Sequence, residues 1–457
     1  MKTQRTIAAL AAVALFAAGC GGRSGTSGEE TPAGAAQPVS GDFGDLKNVC
    51  GKGSASSAPA QGVTAKEIKV GVFSDVGFTK KPEFGDAAKV FTSWCNDAGG
   101  INGRKLVPVT RDTKLQEVRQ RMLESCREDF AAVGGGAALD ALGVKERLTC
   151  LMPDFPAQTS MIQNIGSDLQ INQVAAGASY NRYAGYYTWL LKEAYPSSAS
   201  AVGMISGDSP VTKGLRGQVN EGLKAAGASF AYDDLYPAAG VSDWTPYAQA
   251  IKSKKVKGLV FYGDFLSLAK LEQILTGMNY KLDWIDANSN AYGSTFIKLA
   301  GRSLAFQNNL ADLSGVHPLE AAAANPATKQ VMDLYARYAP KSEVTFPAVR
   351  AFSAWLAFAK SAASCGDALT RKCVYEAARK ETAWTGGGLQ ATVDLSKSDA
   401  PLQCFNVEKA TPEGWKAADF KPDKGAYRCD APAQKLTGNY GKPLTLADVG
   451  KSMSDFK

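Results

Sequence analysis

The chain has 457 residues, 45% of them hydrophobic and 21% charged, ordinary values for a folded protein with two or three domains. Lysine and arginine number 51 against 44 acidic side chains, a net charge of +7 with no basic block, which argues against a nucleic-acid partner. The one histidine, His317, excludes a zincin-type His pair and any His-rich zinc site. It stands in Val-His-Pro and reads as a surface residue in a turn, and no G-x-S-x-G supplies a nucleophile elbow.

In chain order, Lys2 and Arg5 precede a short apolar run, Ile7 to Ala18, too short to span a bilayer. Residues 1–19 are expected to be a signal peptide. Ala17-Ala18-Gly19-Cys20 resembles a bacterial lipobox, with Ala17 where leucine is usual, so Cys20 is the expected lipidation site. The alternative is an ordinary cleavage site near Ala18. Residues 20–62, rich in Gly, Ser, Ala, Thr and Pro, read as a flexible tether.

Eight cysteines remain: Cys50, Cys95, Cys126, Cys150, Cys365, Cys373, Cys404 and Cys429. An even count in an exported chain predicts four disulfides, and the absence of C-x-x-C argues against a zinc ribbon. No metal site and no cofactor are expected.

The body alternates strands and helices. Strands are predicted at 68–73, 105–109 (Pro108 suggesting an edge), 130–133 and 150–153, with helices at 87–96, 117–128 and 139–147. The pattern restarts with helices at 183–193, 212–226, 246–254 and 267–276, and strands at 201–205, 229–235 and 258–262. After about residue 320 the chain reads as helical to 383, then as a strand at 389–395 and a Cys-paired tail. Two βαβα series predict an α/β protein with two doubly wound, parallel-sheet lobes.

Trp94-Cys95-Asn96-Asp97-Ala98-Gly99-Gly100-Ile101-Asn102-Gly103-Arg104-Lys105-Leu106 resembles a motif of type I periplasmic binding proteins, in particular the leucine/isoleucine/valine-binding-like receptors of ABC transporters. Val63-Thr64 with Glu67 to Gly71, Thr110-Arg111-Asp112 and Trp384-Thr385-Gly386-Gly387-Gly388 extend the likeness over about residues 63–420. The resemblance implies two lobes joined by a three-crossover hinge. Lobe 1 would span 63–179 and 315–396, and lobe 2 180–314 and 397–457 with the tail. The ligand would lie between them, against loops that follow strand C-termini. By position these offer Ser74, Asp75 and Phe78, then Gly135, Gly136, Ala157, Thr159 and Tyr180, and from lobe 2 Asp208, Ser209, Tyr262, Gly263 and Asn288. The Gly134–Gly136 turn reads equally as an anion cradle or a tight βα turn.

Within a lobe of sheet order 2-1-3-4, Cys126 and Cys150 can meet, which leaves Cys50 for Cys95. Cys365–Cys373 and Cys404–Cys429 are the local closures.

Amino-acid binders of this kind often place an acid just before Asp-(F/Y) in lobe 2, where this chain has Val241. A neutral or anionic, partly apolar solute is therefore expected rather than a free amino acid. The implied function is a monomeric, lipid-anchored solute receptor at the outer face of the bacterial membrane. It would deliver a small molecule to ABC permease subunits and would not be an enzyme. The rivals are the binding subunit of a sensing system and, further off, a secreted hydrolase.

Overall fold

Ile68, Val70 and Val72 are fully buried, and β1 (Glu67–Ser74) becomes the spine of a first sheet. The computed structural model describes residues 39–173, 177–237 and 239–457. The expected signal peptide, Cys20 and the first part of the expected tether lie outside the described residues. After β1 come α1 (Val76–Thr79), α2 (Glu83–Asp97), β2 (Lys105–Asp112), α3 (Val118–Glu128), β3 (Ala132–Val133), α4 (Val144–Thr149) and β4 (Asp154–Phe155). Their order is β2-β1-β3-β4, all parallel, with the Pro108 strand at the edge. The glycine motif turns the chain from α2 into β2. Gly100 has φ +79°, and a Cβ there would stand 2.1 Å from the Arg104 carbonyl oxygen.

The second lobe begins with α5 (Ala184–Thr188), which continues as a π-helix over Trp189–Ala194. It runs on through β5 (Val202–Asp208), α6 (Pro210–Ala225), β6 (Phe230–Pro237), α7 (Thr245–Ser253), β7 (Gly258–Tyr262), α8 (Phe265–Gly277), β8 (Trp284–Asp286), α9 (Ser294–Ala300) and β9 (Asn309–Asp312). Then α10 (Pro326–Tyr338), α11 (Phe346–Ser364) and α12 (Arg371–Ala378) pack back on the first lobe, and β10 (Val407–Thr411) and β11 (Gly414–Ala417) return to the second sheet. The chain thus passes between the lobes after β4, after β9 and after α12.

The second sheet has the order β11-β10-β9-β8-β7-β5-β6, with β10 antiparallel to both neighbours. The two doubly wound parallel sheets are as expected, with an antiparallel β10–β11 hairpin added at the edge of the second. The strand expected at 389–395 is absent. Gln390 and Val393 make only isolated bridges, and the Gln390 side chain is tied to Ser353 Oγ at 2.7 Å.

The tether reading is corrected over residues 39–62. Phe43 is fully buried against Trp94 and Phe352, ring centroids 5.8 and 5.7 Å away. Arg104 Nη2 donates to the Ser57 carbonyl at 3.1 Å, and the Ser56 and Ser57 N–H groups donate to Asp367. One aromatic anchor, a disulfide and fixed backbone partners order a segment whose composition reads as linker. The tail also differs from its assignment to lobe 2. Thr437 and Tyr440 hold Glu221 of α6, but Leu444 N donates to the Gln163 carbonyl and Phe456 is buried against Tyr375, both in the first lobe.

The disulfides are Cys50–Cys95, Cys126–Cys150, Cys365–Cys373 and Cys404–Cys429, the pairing that the sheet order implies. His317 is buried rather than on the surface, its Nδ1 3.0 Å from both Thr328 Oγ1 and the Pro318 carbonyl, and burial pushes its pKa down. No helix among the described residues is long and apolar enough to cross a membrane.

The second lobe also buries an acid that nothing neutralises. Glu272 on α8 is fully buried, accepts one bond from Asn309 Nδ2 at 2.8 Å, and has no partner at Oε1. Burial pushes its pKa up to about 8, from 4.5. The folded state therefore holds this proton longer than the unfolded chain does. Its contribution is fully present below pH 4.5 and is lost as pH rises through about 8. Glu272→Gln is expected to leave urea stability at pH 4.5 nearly unchanged. At pH 9 it should raise stability by roughly 1–3 kcal/mol. A variant less stable than the parent at both pH values would contradict this account.

Candidate ligand-binding cleft

Strand C-termini of both sheets open on one hollow of about 320 Å³. Gln158 and Thr159, after β4, come from the first lobe. Ser209 after β5, Tyr262 and Gly263 at the end of β7, and Asn288 after β8 come from the second. Ser209 caps α6, accepting from Thr212 N at 3.3 Å, and Asp264 caps α8, accepting from Ser267 N at 2.9 Å. Both helix N-termini therefore face the hollow and favour negative charge there. A smaller hollow, about 270 Å³, adjoins it and is lined by Ser74, Asp75 and Gly136, with Gly263 and Asp264 opposite. Contacts bridge the mouth between the lobes. Glu343 accepts from the Ser294 N–H and from Thr295 Oγ1, and Lys81 Nζ lies 4.0 Å from the Phe265 ring centroid.

Of the residues expected at the site, Ser74, Asp75, Gly136, Thr159, Ser209, Tyr262, Gly263 and Asn288 line these two hollows. Several have local duties. Asp75 accepts from Thr113 Oγ1, from Leu115 N at 3.0 Å and from Ala138 N at 2.7 Å, so its carboxylate is committed to the loop. The glycine triplet makes a tight turn in which the Gly134 and Gly136 N–H groups donate to the Phe155 and Phe73 carbonyls at 2.8 and 2.9 Å and so are not offered to an anion. Gly135 is a close-packing position, since a Cβ there would stand 2.5 Å from Phe73 backbone atoms.

The others lie elsewhere. Phe78 is 62% exposed on α1, Ala157 is buried, and Asp208 is exposed and paired with Lys213. Tyr180 lies with Ser314, Gln390 and Asp399 in a separate hollow beside the crossovers.

Among the side chains of the hollow with no counterpart in the expected residues are Arg182, Tyr183, Phe346 and Arg350. The first two belong to the connection into α5 and the last two to α11, so none follows a strand. Tyr183 and Tyr262 influence each other, and burial is the main cause that raises both phenols. Tyr236 stands behind Gly263, its hydroxyl 3.4 Å from Asp264 Oδ2. A lone arginine in the apolar run of α11 was a readable signal, since a charge is rarely carried into such a helix without a purpose. Among the described residues, no three His, Cys, Asp or Glu side chains converge on a place for a metal ion.

A sequence profile of the family described as "Periplasmic binding protein" matches residues 67–411. The chain belongs to this family. Solved structures agree in fold. A fatty acid ABC transporter substrate-binding protein from Thermomonospora curvata superposes with TM-score 0.67 at 17% identity, over 82% of this chain and 98% of that one. A substrate-binding periplasmic protein from Ralstonia solanacearum gives TM-score 0.64 at 18% identity, over 77% and 100%. The branched-chain amino acid binding protein LivJ from Streptococcus pneumoniae, in complex with isoleucine, gives 0.60 at 16%, over 77% and 99%. No curated protein matches the chain. The chain thus has the type I periplasmic binding protein fold, and membership of the family places it outside the cytoplasm.

Proposed function

We propose that this protein is a lipid-anchored receptor that binds a small solute in the cleft and delivers it to an ABC permease by hinge closure. The observation that carries the reading is the composition of the cleft wall, with Gln158 and Thr159 on one lobe facing Ser209, Tyr262 and Asn288 on the other. A solute touching both walls favours the closed arrangement by its differential affinity for it. The three passes of chain between the lobes are the hinge. No covalent chemistry enters this reading, and the receptor acts as a monomer.

The anchor is proposed from the apolar run Ile7 to Ala18 and the Ala-Ala-Gly-Cys junction that follows it. Cys20→Ala is expected to move the protein from the membrane to the soluble fraction. Substituted protein that still sediments with membranes and carries lipid at its N-terminus would refute the anchor. For the receptor role, a thermal-shift screen of metabolites is the test. A cognate solute at a hundred times its Kd stabilises by about 2.7 kcal/mol. Silence of every solute class would refute the reading.

A further inference from the structure

We infer that Arg182 and Arg350 form a carboxylate-binding pair, and that the solute is an organic acid whose apolar body rests on Phe346 and the neighbouring tyrosines. This rests on the receptor reading and names its ligand class.

The inference starts from how the chain treats guanidiniums elsewhere, buried in Arg104, Arg111 and Arg147 and half-buried in Arg371, as Arg182 and Arg350 are. Arg104 bonds to Asp367 and to the Thr64, Ser57 and Gly366 carbonyls. Arg111 forks onto Asp129, Arg147 reaches Ser167 Oγ and two carbonyls, and Arg371 binds three carbonyls. Arg350 and Arg182 are different. Among the described residues neither side chain makes a hydrogen bond or an ion pair, whereas each of the other four is held by several acceptors, and Arg350 Nε is buried without a partner. Arg350 lies over the Phe346 ring, its guanidinium carbon 5.5 Å from the centroid. Burial, and next the Arg182 charge, push its pKa down to about 9.

Two adjacent cations without a counter-ion are costly inside a protein. The cost is repaid when an anion enters, and the flat fork of arginine matches a carboxylate. The acids of the cleft do not fill this role. Asp264 is turned to cap α8 and to meet Tyr236, and Asp75 is committed to its own loop. The α6 N-terminus adds positive potential on the opposite wall. Beside the guanidiniums, Phe346, Tyr183 and Tyr262 supply an apolar, largely aromatic surface.

The test uses the full-length protein in detergent. The probes are benzoate, phenylacetate, hexanoate and succinate, each beside its uncharged amide, with leucine as the zwitterion. In calorimetry at least one acid is expected to bind about tenfold or more tightly than its amide. That preference should vanish in Arg350→Gln, and affinity should fall about tenfold in Arg182→Gln. The melting temperature of the free protein should hold or rise in Arg350→Gln, because an unpaired cation is removed, so lost binding is not lost folding.

Equal binding of acid and amide, or acid binding that survives both substitutions, overturns the carboxylate pair and leaves the receptor reading standing. Tight leucine binding that is lost in Asp264→Asn and indifferent to Arg350→Gln does the same. Silence of all the acids, with a neutral solute found in the metabolite screen, also overturns the pair alone. Silence of every solute overturns both.

Discussion

Trp355→Ala is expected to destabilise the protein by about 3–5 kcal/mol, the range for removing a large aromatic side chain from a packed core. Trp355 is fully buried at the middle of α11, stacked on Phe91 at 5.5 Å between centroids and edge-on to Phe358 at 6.3 Å. It also supports the loop after β3, because the Cβ position of Gly134 is only 2.3 Å from its indole nitrogen. Alanine would leave a void between α11, α2 and that loop. The effect should extend to the cleft, since Phe346 and Arg350 ride on the same helix and Gly136 on the same loop. Trp355→Phe should cost markedly less, because most of the aromatic contact is kept and the unpartnered indole N–H is removed. Urea unfolding of both variants is the measurement. A cost below about 1 kcal/mol for alanine would show that the site collapses freely.

Much of this scaffold is legible in the sequence, for reasons visible in particular residues. The run at 68–73 has buried side chains on both faces, as a central parallel strand must, so it stands out as apolar. Gly99 to Gly103 marks the helix-to-strand turn because those positions need positive φ, and Asn102 shares it at +51°. The strands β8, β9, β10 and β11 are hidden. They are three to five residues long, and they carry Asp286, Asn309, Asp312 and Glu408 into the interior, which erases the apolar signature.

The site divides in the same way. Residues after strand ends, such as Ser74, Thr159, Ser209 and Tyr262, follow from the geometry of open α/β sheets. Arg182 and Arg350 do not. They lie 168 positions apart in the chain and meet only because α11 returns to the first lobe after the whole of the second lobe's parallel sheet has been laid down. Sequence order carries no trace of that meeting beyond one charge in the first half of an apolar helix.

The second large effect concerns a charge that does have a partner. Asp129 is fully buried at the end of α3, and Arg111 on β2 is 7% exposed. Arg111 donates to both carboxylate oxygens of Asp129, Nε to Oδ2 and Nη2 to Oδ1, each at 2.8 Å, and Ser125 Oγ donates to Oδ2 at 2.6 Å. The pair ties α3 to the edge strand, and Gly71 of β1 lies beneath it, its Cβ position 2.7 Å from Asp129 Oδ2. Asp129→Ala strands Arg111 in the lobe and is expected to cost about 3–5 kcal/mol. Glu128 and Glu124 stand 2.9 and 3.8 Å from the same guanidinium, but both are more exposed and neither can replace the buried fork. The double variant Asp129→Leu with Arg111→Met should recover most of the loss, because removing both charges leaves nothing uncompensated. If the double variant is instead as unstable as the sum of its singles, the cost lies in packing at each position rather than in a stranded charge, and the pair contributes no coupling of its own.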